Sequence, residues 1–195
     1  LLIASSNPGK LREFQAILAG QPFDLLLPDA IGVHLDVVED GMTYAENAAK
    51  KALAYQRASG LLTLADDSGL EVDALNGAPG LYSARYSPVP GAGDADRRRL
   101  LLANLAGKAQ PWQARFRCCV AVCTPDGRLE LAEGECPGEI IAEERGANGF
   151  GYDPIFLLAG RGQTMAQLES EEKNTLSHRA RAVIAALPML LRYAA

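Results

Sequence analysis

LLTLADDSGLEVDALNGAPGLYSARY, residues 61–86, decides how the rest of the chain is read. It opens with an apolar run, as a buried strand does, and then presents Asp66, Asp67, Ser68 and Gly69 in succession. Burying an unpaired carboxylate is costly, so two of them after an apolar run predict partners and a task. The reading ends the strand before the carboxylates and turns the chain at Gly69. Such strand ends are where open α/β sheets place their sites. Beyond it, Asn76-Gly77-Ala78-Pro79-Gly80 reads as a rigid turn.

Upstream, Leu1–Ala4 predicts a short first strand, followed by Ser5-Ser6-Asn7-Pro8-Gly9-Lys10. Asn7 suits a helix N-cap and Pro8 its first position. Leu11, Phe14, Ile17 and Leu18 repeat as one helix face, and Gly20 is a stop. Strand, polar turn and helix start make a natural anion site. Lys10 there opposes the helix dipole unless an anion joins it. A Walker A loop is excluded, because Ala4 and Leu11 occupy positions that require Gly and Ser or Thr. Phe23–Leu27 and Val33–Val38 read as two further strands, the second leading to the acidic turn Glu39-Asp40-Gly41. Thr43 to Glu46 is a capping box opening an Ala-rich helix that Gly60 stops, which makes Glu46 structural. Of Lys50 and Lys51 on that helix, only one need face a site.

Downstream, Asp94 caps a helix running to about Ala106, and Arg97, Arg98 and Arg99 on it read as solvated surface. Ala114–Val122 and Leu129–Glu133 predict a hairpin about Pro125-Asp126-Gly127. GANGFGYD, 146–153, is a glycine-rich turn with two aromatics, and Pro154–Leu157 returns to a buried strand. Ser177-His178-Arg179 opens a last helix that Pro188 should kink or end.

The 195 residues suffice for one domain, 1–195, with a sizeable core. Hydrophobic residues at 48% and charged residues at 22% describe an ordinary globular chain. A net charge of −5 argues against gripping polymeric nucleic acid, which needs a basic footprint. No apolar run reaches membrane-spanning length. LLIASSNPGK is too soon polar for a secretory leader. Cys118, Cys119, Cys123 and Cys136 form no CxxC pair and read as core thiols of a cytoplasmic protein. Neither His34 nor His178 has zinc-ligand spacing.

Three features converge: a helix start with Lys10 for a phosphate chain; Glu39, Asp66 and Asp67 for a hard cation; and an aromatic glycine turn with His178-Arg179 for a planar base. Magnesium is typically held by one or two carboxylates while substrate phosphates and water complete its shell. The set suggests a magnesium-dependent enzyme acting on a nucleoside triphosphate.

The ordered motifs SSNPGK (5–10), EDG (39–41), ENAAKKA (46–52), ADDSGLEVDALNGAPGLYSARY (65–86), FGYDPIF (150–156), EEK (171–173) and SHR (177–179) resemble the Ham1/RdgB-like family of non-canonical purine nucleoside triphosphate pyrophosphatases. Ser5 stands where that family usually has Thr, and a hydroxyl is kept. The resemblance implies an α/β fold: a long, twisted mixed sheet flanked by helices, in two lobes with the active site in the cleft between them. It implies a cytoplasmic homodimer that hydrolyses ITP, dITP and XTP to monophosphate and pyrophosphate with Mg2+. By the same resemblance, Ser5, Ser6, Asn7, Pro8, Gly9 and Lys10 would bind the triphosphate, with Lys51 adding charge. Glu39 and Asp67 would hold Mg2+, and Asp67 would orient or deprotonate the attacking water. Ser68 would touch the substrate. Phe150, Gly151, Tyr152, Asp153, Lys173, His178 and Arg179 would frame the base. A Maf-like pyrophosphatase of other nucleotide preference is the nearest competitor, and FGYDPIF and SHR favour the purine family.

Overall fold

The computed structural model describes residues 1–194. In chain order the elements are β1 (Leu2–Ile3), α1 (Pro8–Ile17), α2 (Tyr44–Ser59), β2 (Thr63–Val72), α3 (Asp94–Leu105), β3 (Trp112–Cys123), β4 (Leu129–Ile140), β5 (Phe156–Leu158), α4 (Ser170–Leu176) and α5 (His178–Leu191). The five strands form one mixed sheet in the order β1-β2-β3-β4-β5. β1 runs parallel to β2, with Leu2 opposite Thr63, and β5 runs antiparallel to β4. The expected α/β class is therefore present, with helices flanking a mixed sheet.

The chain divides into two compact units, and β2, β3 and β4 each contribute residues to both. The first unit comprises Leu1–Asp67, Cys118–Gly134 and the chain from His178 onward. Its sheet carries a different apolar cluster on each face. Leu64, Cys118, Val120 and Val122 pack with Phe14 and Leu18 of the α1 region and with Ala182, Val183 and Ala186 of α5. Ala65, Ala121 and Cys123 pack with Ala48, Ala52 and Tyr55 of α2. Successive strand residues point to opposite faces, so Leu64 and Ala65 sort onto these two sides. The second unit comprises Ser68–Arg117 and Glu135–Ser177. Its core gathers Leu70, Val72, Leu101, Leu105, Phe116, Ile140, Tyr152, Phe156 and Met165.

Several local expectations are corrected. β2 does not end before the carboxylates; it runs unbroken through Asp66, Asp67, Ser68 and Gly69 to Val72. Phe23–Leu27 forms no strand and keeps a single parallel bridge, Leu26 to Leu2. Val33–Val38 forms none either. Its alternating apolar residues Val33 and Val37 pack on the α2-side cluster without a ladder partner. The hairpin strands β3 and β4 are longer than the alternating pattern suggests, reaching Trp112 and Ile140. Pro188 lies inside α5, which continues to Leu191. Proline there removes the donor that would bond the carbonyl of Ile184, an exposed residue. All four cysteines are buried, as expected of core thiols.

Candidate functional site

Asp66 and Asp67 are neighbours in β2, so the pleat sends their side chains to opposite faces of the sheet. Asp66 bonds Lys10 and Arg179, Asp67 bonds Asn47, and Lys51 pulls on both. Asp66 is 1% exposed. Its Oδ2 lies 2.9 Å from Lys10 Nζ and accepts from Arg179 Nε at 3.3 Å and Nη2 at 3.2 Å. The Cys118 thiol approaches the same oxygen at 3.8 Å. Arg179 also donates through Nη1 to Glu13, itself buried. Burial pushes the Asp66 carboxyl up, but Lys10, Arg179 and Lys51 outweigh it and hold the group well below the usual carboxylate range. Burial likewise opposes the charge on Arg179, and Asp66 and Glu13 reverse that effect. Asp66 Oδ1 is buried with no hydrogen-bond partner among the described residues.

This network explains Lys10. The ammonium sits in the first turn of α1, where the dipole disfavours it, and Asp66 is the anion that compensates. The helix start is capped from within. Asn7 Oδ1 accepts from Gly9 N–H at 2.9 Å and Lys10 N–H at 3.1 Å, and Asn7 N–H donates to Ser5 Oγ at 3.2 Å. Asn7 and Pro8 therefore behave as N-cap and N1, as their types predict. An anion arriving at Ser5–Lys10 competes with the Asn7 carboxamide for these donors. Ser6, Asn7 and Pro8 are exposed, Ser5 and Lys10 are half-buried, and Gly9 is buried.

Asp67 faces α2. Its Oδ2 accepts from Asn47 Nδ2 at 2.9 Å, and Asn47 Oδ1 accepts from Gly41 N–H at 2.8 Å. One buried carboxamide thus ties the acidic turn to the strand carboxylate, and its two bonds leave only one orientation. Gly41 is needed for the approach, since a Cβ there would stand 2.6 Å from Asn47 Oδ1. Lys51 Nζ lies 2.8 Å from Glu39 Oε1. Lys50 instead turns outward to Asp40, so Lys51 is the one that faces the cluster. Burial raises the Asp67 carboxyl above its ordinary value, against the pull of Lys51 and Asn47. The Lys51 ammonium is disfavoured by burial, but Asp66 and Glu39 raise its proton affinity on balance. Glu46 is structural, as read: its Oε2 accepts from Met42 N–H at 2.6 Å, and Thr43 Oγ1 accepts from Glu46 N–H at 3.1 Å.

The second unit carries the glycine turn. Gly146, Gly149 and Gly151 have φ of 81°, 76° and 63°. Asp153 organises it: Oδ2 accepts from Phe150 N–H at 2.9 Å and from Lys173 Nζ at 2.6 Å. Lys173 Nζ also stands 4.9 Å from the Phe150 ring centroid. At Gly149 a Cβ would fall 2.1 Å from Asp153 Oδ2, on a backbone already at positive φ. Tyr152 is buried in the core and its hydroxyl donates to Ser83 O at 3.0 Å, so it anchors the turn. Phe150, by contrast, is only half-buried. Ser68 is the first residue of this unit and is half-buried.

The expected site residues thus fall into distinct groups. Ser5–Lys10, Glu39, Lys51 and Asp67 lie in the first unit, with His178 and Arg179 buried at the start of α5. Phe150–Asp153 and Lys173 lie in the second. Arg179, grouped by sequence with the base, is here ion-paired to Glu13 and Asp66. Sequence reasoning missed Asn47 and Glu13. Both signals were present, because Asn47 precedes Lys51 by four positions and Glu13 follows Lys10 by three, which places each pair on one helix face. The surface reading of 97–99 is also corrected. Arg99 is exposed, whereas Arg98 is 13% exposed and donates to Gly151 O at 2.8 Å, because the turn supplies it with partners.

A family model described as the Ham1 family matches residues 1–189. A dITP/XTP pyrophosphatase of Geobacter sulfurreducens is 47% identical over 94% of this chain and 92% of its own. One from Desulforamulus reducens is 45% identical over 98% and 96%. Among solved structures, a HAM1 protein from Coxiella burnetii superimposes with a TM-score of 0.87 at 38% identity, covering 98% of both chains. A nucleoside-triphosphatase/dITP/XTP pyrophosphatase from Mycobacterium abscessus gives 0.75 at 42% identity, covering 97% of this chain and 98% of that one.

Proposed function

The chain belongs to the Ham1 family, and from that premise we propose that it cleanses the nucleotide pool as a nucleoside triphosphate pyrophosphatase, hydrolysing dITP, XTP and ITP to the monophosphate and pyrophosphate with Mg2+. The observation that carries the reading is the Asp67 cluster. A buried carboxylate of raised proton affinity is held by one carboxamide, with Lys51 and Glu39 paired close by.

The donor set fits the metal. Glu39 and Asp67 offer only carboxylate oxygens, the type that Mg2+ takes. Among the described residues no group of three or more His, Cys, Asp or Glu could cage an ion. A site of two carboxylates needs substrate phosphates and water to complete it, which couples metal and triphosphate binding. Asp67 gains from the arrangement, since a cation beside a buried carboxylate offsets the desolvation that now raises its proton affinity. Bound Mg2+ supplies Lewis-acid stabilisation of charge developing on the phosphate oxygens.

The residues of the chain do the rest. Asp67 orients a water molecule and accepts its proton as the water oxygen attacks phosphorus and the P–O bond to the departing pyrophosphate breaks. Asn47 holds the Asp67 carboxylate through Oδ2. Lys51 and Lys10 provide fixed positive charge toward the phosphate chain, and each ammonium has further N–H donors for an incoming phosphate. Ser5 to Gly9 add hydroxyl and backbone donors, and Ser68 a further hydroxyl. The family resemblance gives base binding to Phe150–Asp153, Lys173, His178 and Arg179.

The same resemblance supports a cytoplasmic homodimer, which sedimentation of the purified protein checks. No helix of the described chain is long and apolar enough to cross a membrane. The test of function is a pyrophosphate-release panel of dITP, XTP, ITP, GTP, ATP and UTP, with and without Mg2+. Release from dITP, XTP and ITP only when Mg2+ is present supports the proposal. Preferred hydrolysis of UTP, or turnover without a divalent cation, overturns it.

A further inference from the structure

Helix α3 grips the glycine turn by both polar groups of one residue. Asp94 Oδ2 accepts from Gly151 N–H at 2.8 Å, and Arg98 Nη1 donates to Gly151 O at 2.8 Å. The other edge of the Arg98 guanidinium forks onto Glu144, Nε to Oε1 at 2.8 Å and Nη2 to Oε2 at 2.9 Å. Asp94 and Arg98 are four residues apart on one helix face, so the grip is set by α3 itself. Arg97 completes it by pairing with Asp94 and donating to Ala92 O at 2.9 Å.

The turn needs such a hold. Three of its residues are glycines at positive φ, and a Cβ added at Gly151 would meet nothing beyond its own chain neighbours. Gly151 has no side chain to anchor it, and both polar groups of this residue are held by hydrogen bonds from α3. Phe150 precedes Gly151, and Asp153, which binds Phe150 N–H and Lys173, follows two residues later.

We propose that Asp94 and Arg98 are positioning residues for the Phe150–Asp153 turn and, through it, determinants of which purine base is accepted. The inference deepens the proposed function and rests on it. Selection by polar complementarity works because a mismatched base leaves buried groups unpaired. That penalty holds only while the recognising groups stay within about 0.5 Å of their places. A loosened turn adapts to the wrong base, so discrimination falls further than turnover of the right one. Lysine at position 98 can keep one bond but not the fork.

The experiment measures kcat and KM for dITP, XTP, dGTP and dATP in the parent enzyme and in Arg98→Ala, Arg98→Lys, Asp94→Asn, Arg99→Ala and Phe150→Ala, with thermal melts of each. Arg98→Ala should raise KM for dITP and narrow its kcat/KM advantage over dGTP by about tenfold, the scale of one lost charge-assisted hydrogen bond. Its kcat for dITP should stay within about threefold, because the hydrolytic residues are untouched. Asp94→Asn, which keeps the shape, should move the ratio in the same direction and serves if Arg98→Ala fails to fold. Arg98→Lys should recover part of the loss, and Arg99→Ala should behave as the parent. A preserved ratio in the Arg98 and Asp94 variants, with a changed one in Phe150→Ala, overturns the inference alone. A ratio preserved in Phe150→Ala as well overturns it together with the base-binding role of the turn. A parent that releases no pyrophosphate from dITP or XTP overturns the proposed function itself.

Discussion

Replacing Arg179 by methionine keeps an unbranched side chain of similar length and removes its charge. In the native protein the guanidinium is 1% exposed and bonds two buried carboxylates, Glu13 and Asp66. Removing one partner of a buried pair costs about 3–5 kcal/mol, most of it from the charge left behind. Asp66 keeps Lys10 at 2.9 Å, which limits its share of that cost. With a urea m-value of about 2–3 kcal/mol/M, the unfolding midpoint should drop by about 1–2 M. Comparing Glu13→Gln, Arg179→Met and the double variant measures the coupling of this buried pair, which should be non-additive by about 0.5–3 kcal/mol. The pH profile gives a second reading. Asp66 is depressed below its ordinary 3.8, so its stabilisation is present above that value and disappears only as pH falls through the lower native value. Without Arg179 the native value rises toward 3.8, and acid unfolding should begin at higher pH. Urea denaturation followed by circular dichroism, repeated from acid to neutral pH, measures both effects. A midpoint within about 0.3 M of the parent would refute the claim that this network holds the first unit together.

Three further outcomes are expected. Asp67→Asn should slow hydrolysis by about 10²–10⁴-fold, as for loss of a general base. It should hold or raise stability at neutral pH, because the native fold raises the proton affinity of this carboxyl and disfavours its charge above 3.8; steady-state kinetics and a melt test the pair. EDTA should abolish pyrophosphate release and added Mg2+ restore it, and Mn2+ titration watched by electron paramagnetic resonance should show weaker binding in Glu39→Gln. Gly41→Ala must push against Asn47 Oδ1 at 2.6 Å and Glu46 Cβ at 2.8 Å, which should cost about 1–3 kcal/mol and lower activity by displacing the acidic turn, read by urea titration and kcat.

Much of the fold and of the candidate site was legible in local sequence. Asn7-Pro8 announced α1 because N-cap and N1 preferences depend on a few adjacent residues. Thr43 and Gly60 bounded α2 for the same reason. The ordered motifs from SSNPGK to SHR identified the family, since each is a short string whose meaning does not depend on what packs against it. Where the sequence reading failed, the missing information was a partner distant along the chain. Phe23–Leu27 and Val33–Val38 carry strand-like patterns, but a strand needs a neighbour to accept its hydrogen bonds, and those segments find one bridge and none.

The family resemblance singled out Asp67, and the tertiary structure alone supplies a physical reason why the adjacent carboxylates differ. By residue type Asp66 and Asp67 are equivalent neighbours, and a turn there would have left both available. Because β2 continues through them, the pleat sends Asp66 to the face of α1 and α5 and Asp67 to the face of α2. Lys10 and Arg179, 56 positions before Asp66 and 113 after it, gather on the first face. Asn47, 20 positions before Asp67, meets it on the second. The residue types by themselves suggested a phosphate and metal chemistry, which the experiments above test. Which carboxylate is locked in structural ion pairs, and which stays poised at raised proton affinity, is set by what the folded sheet brings to each of its faces.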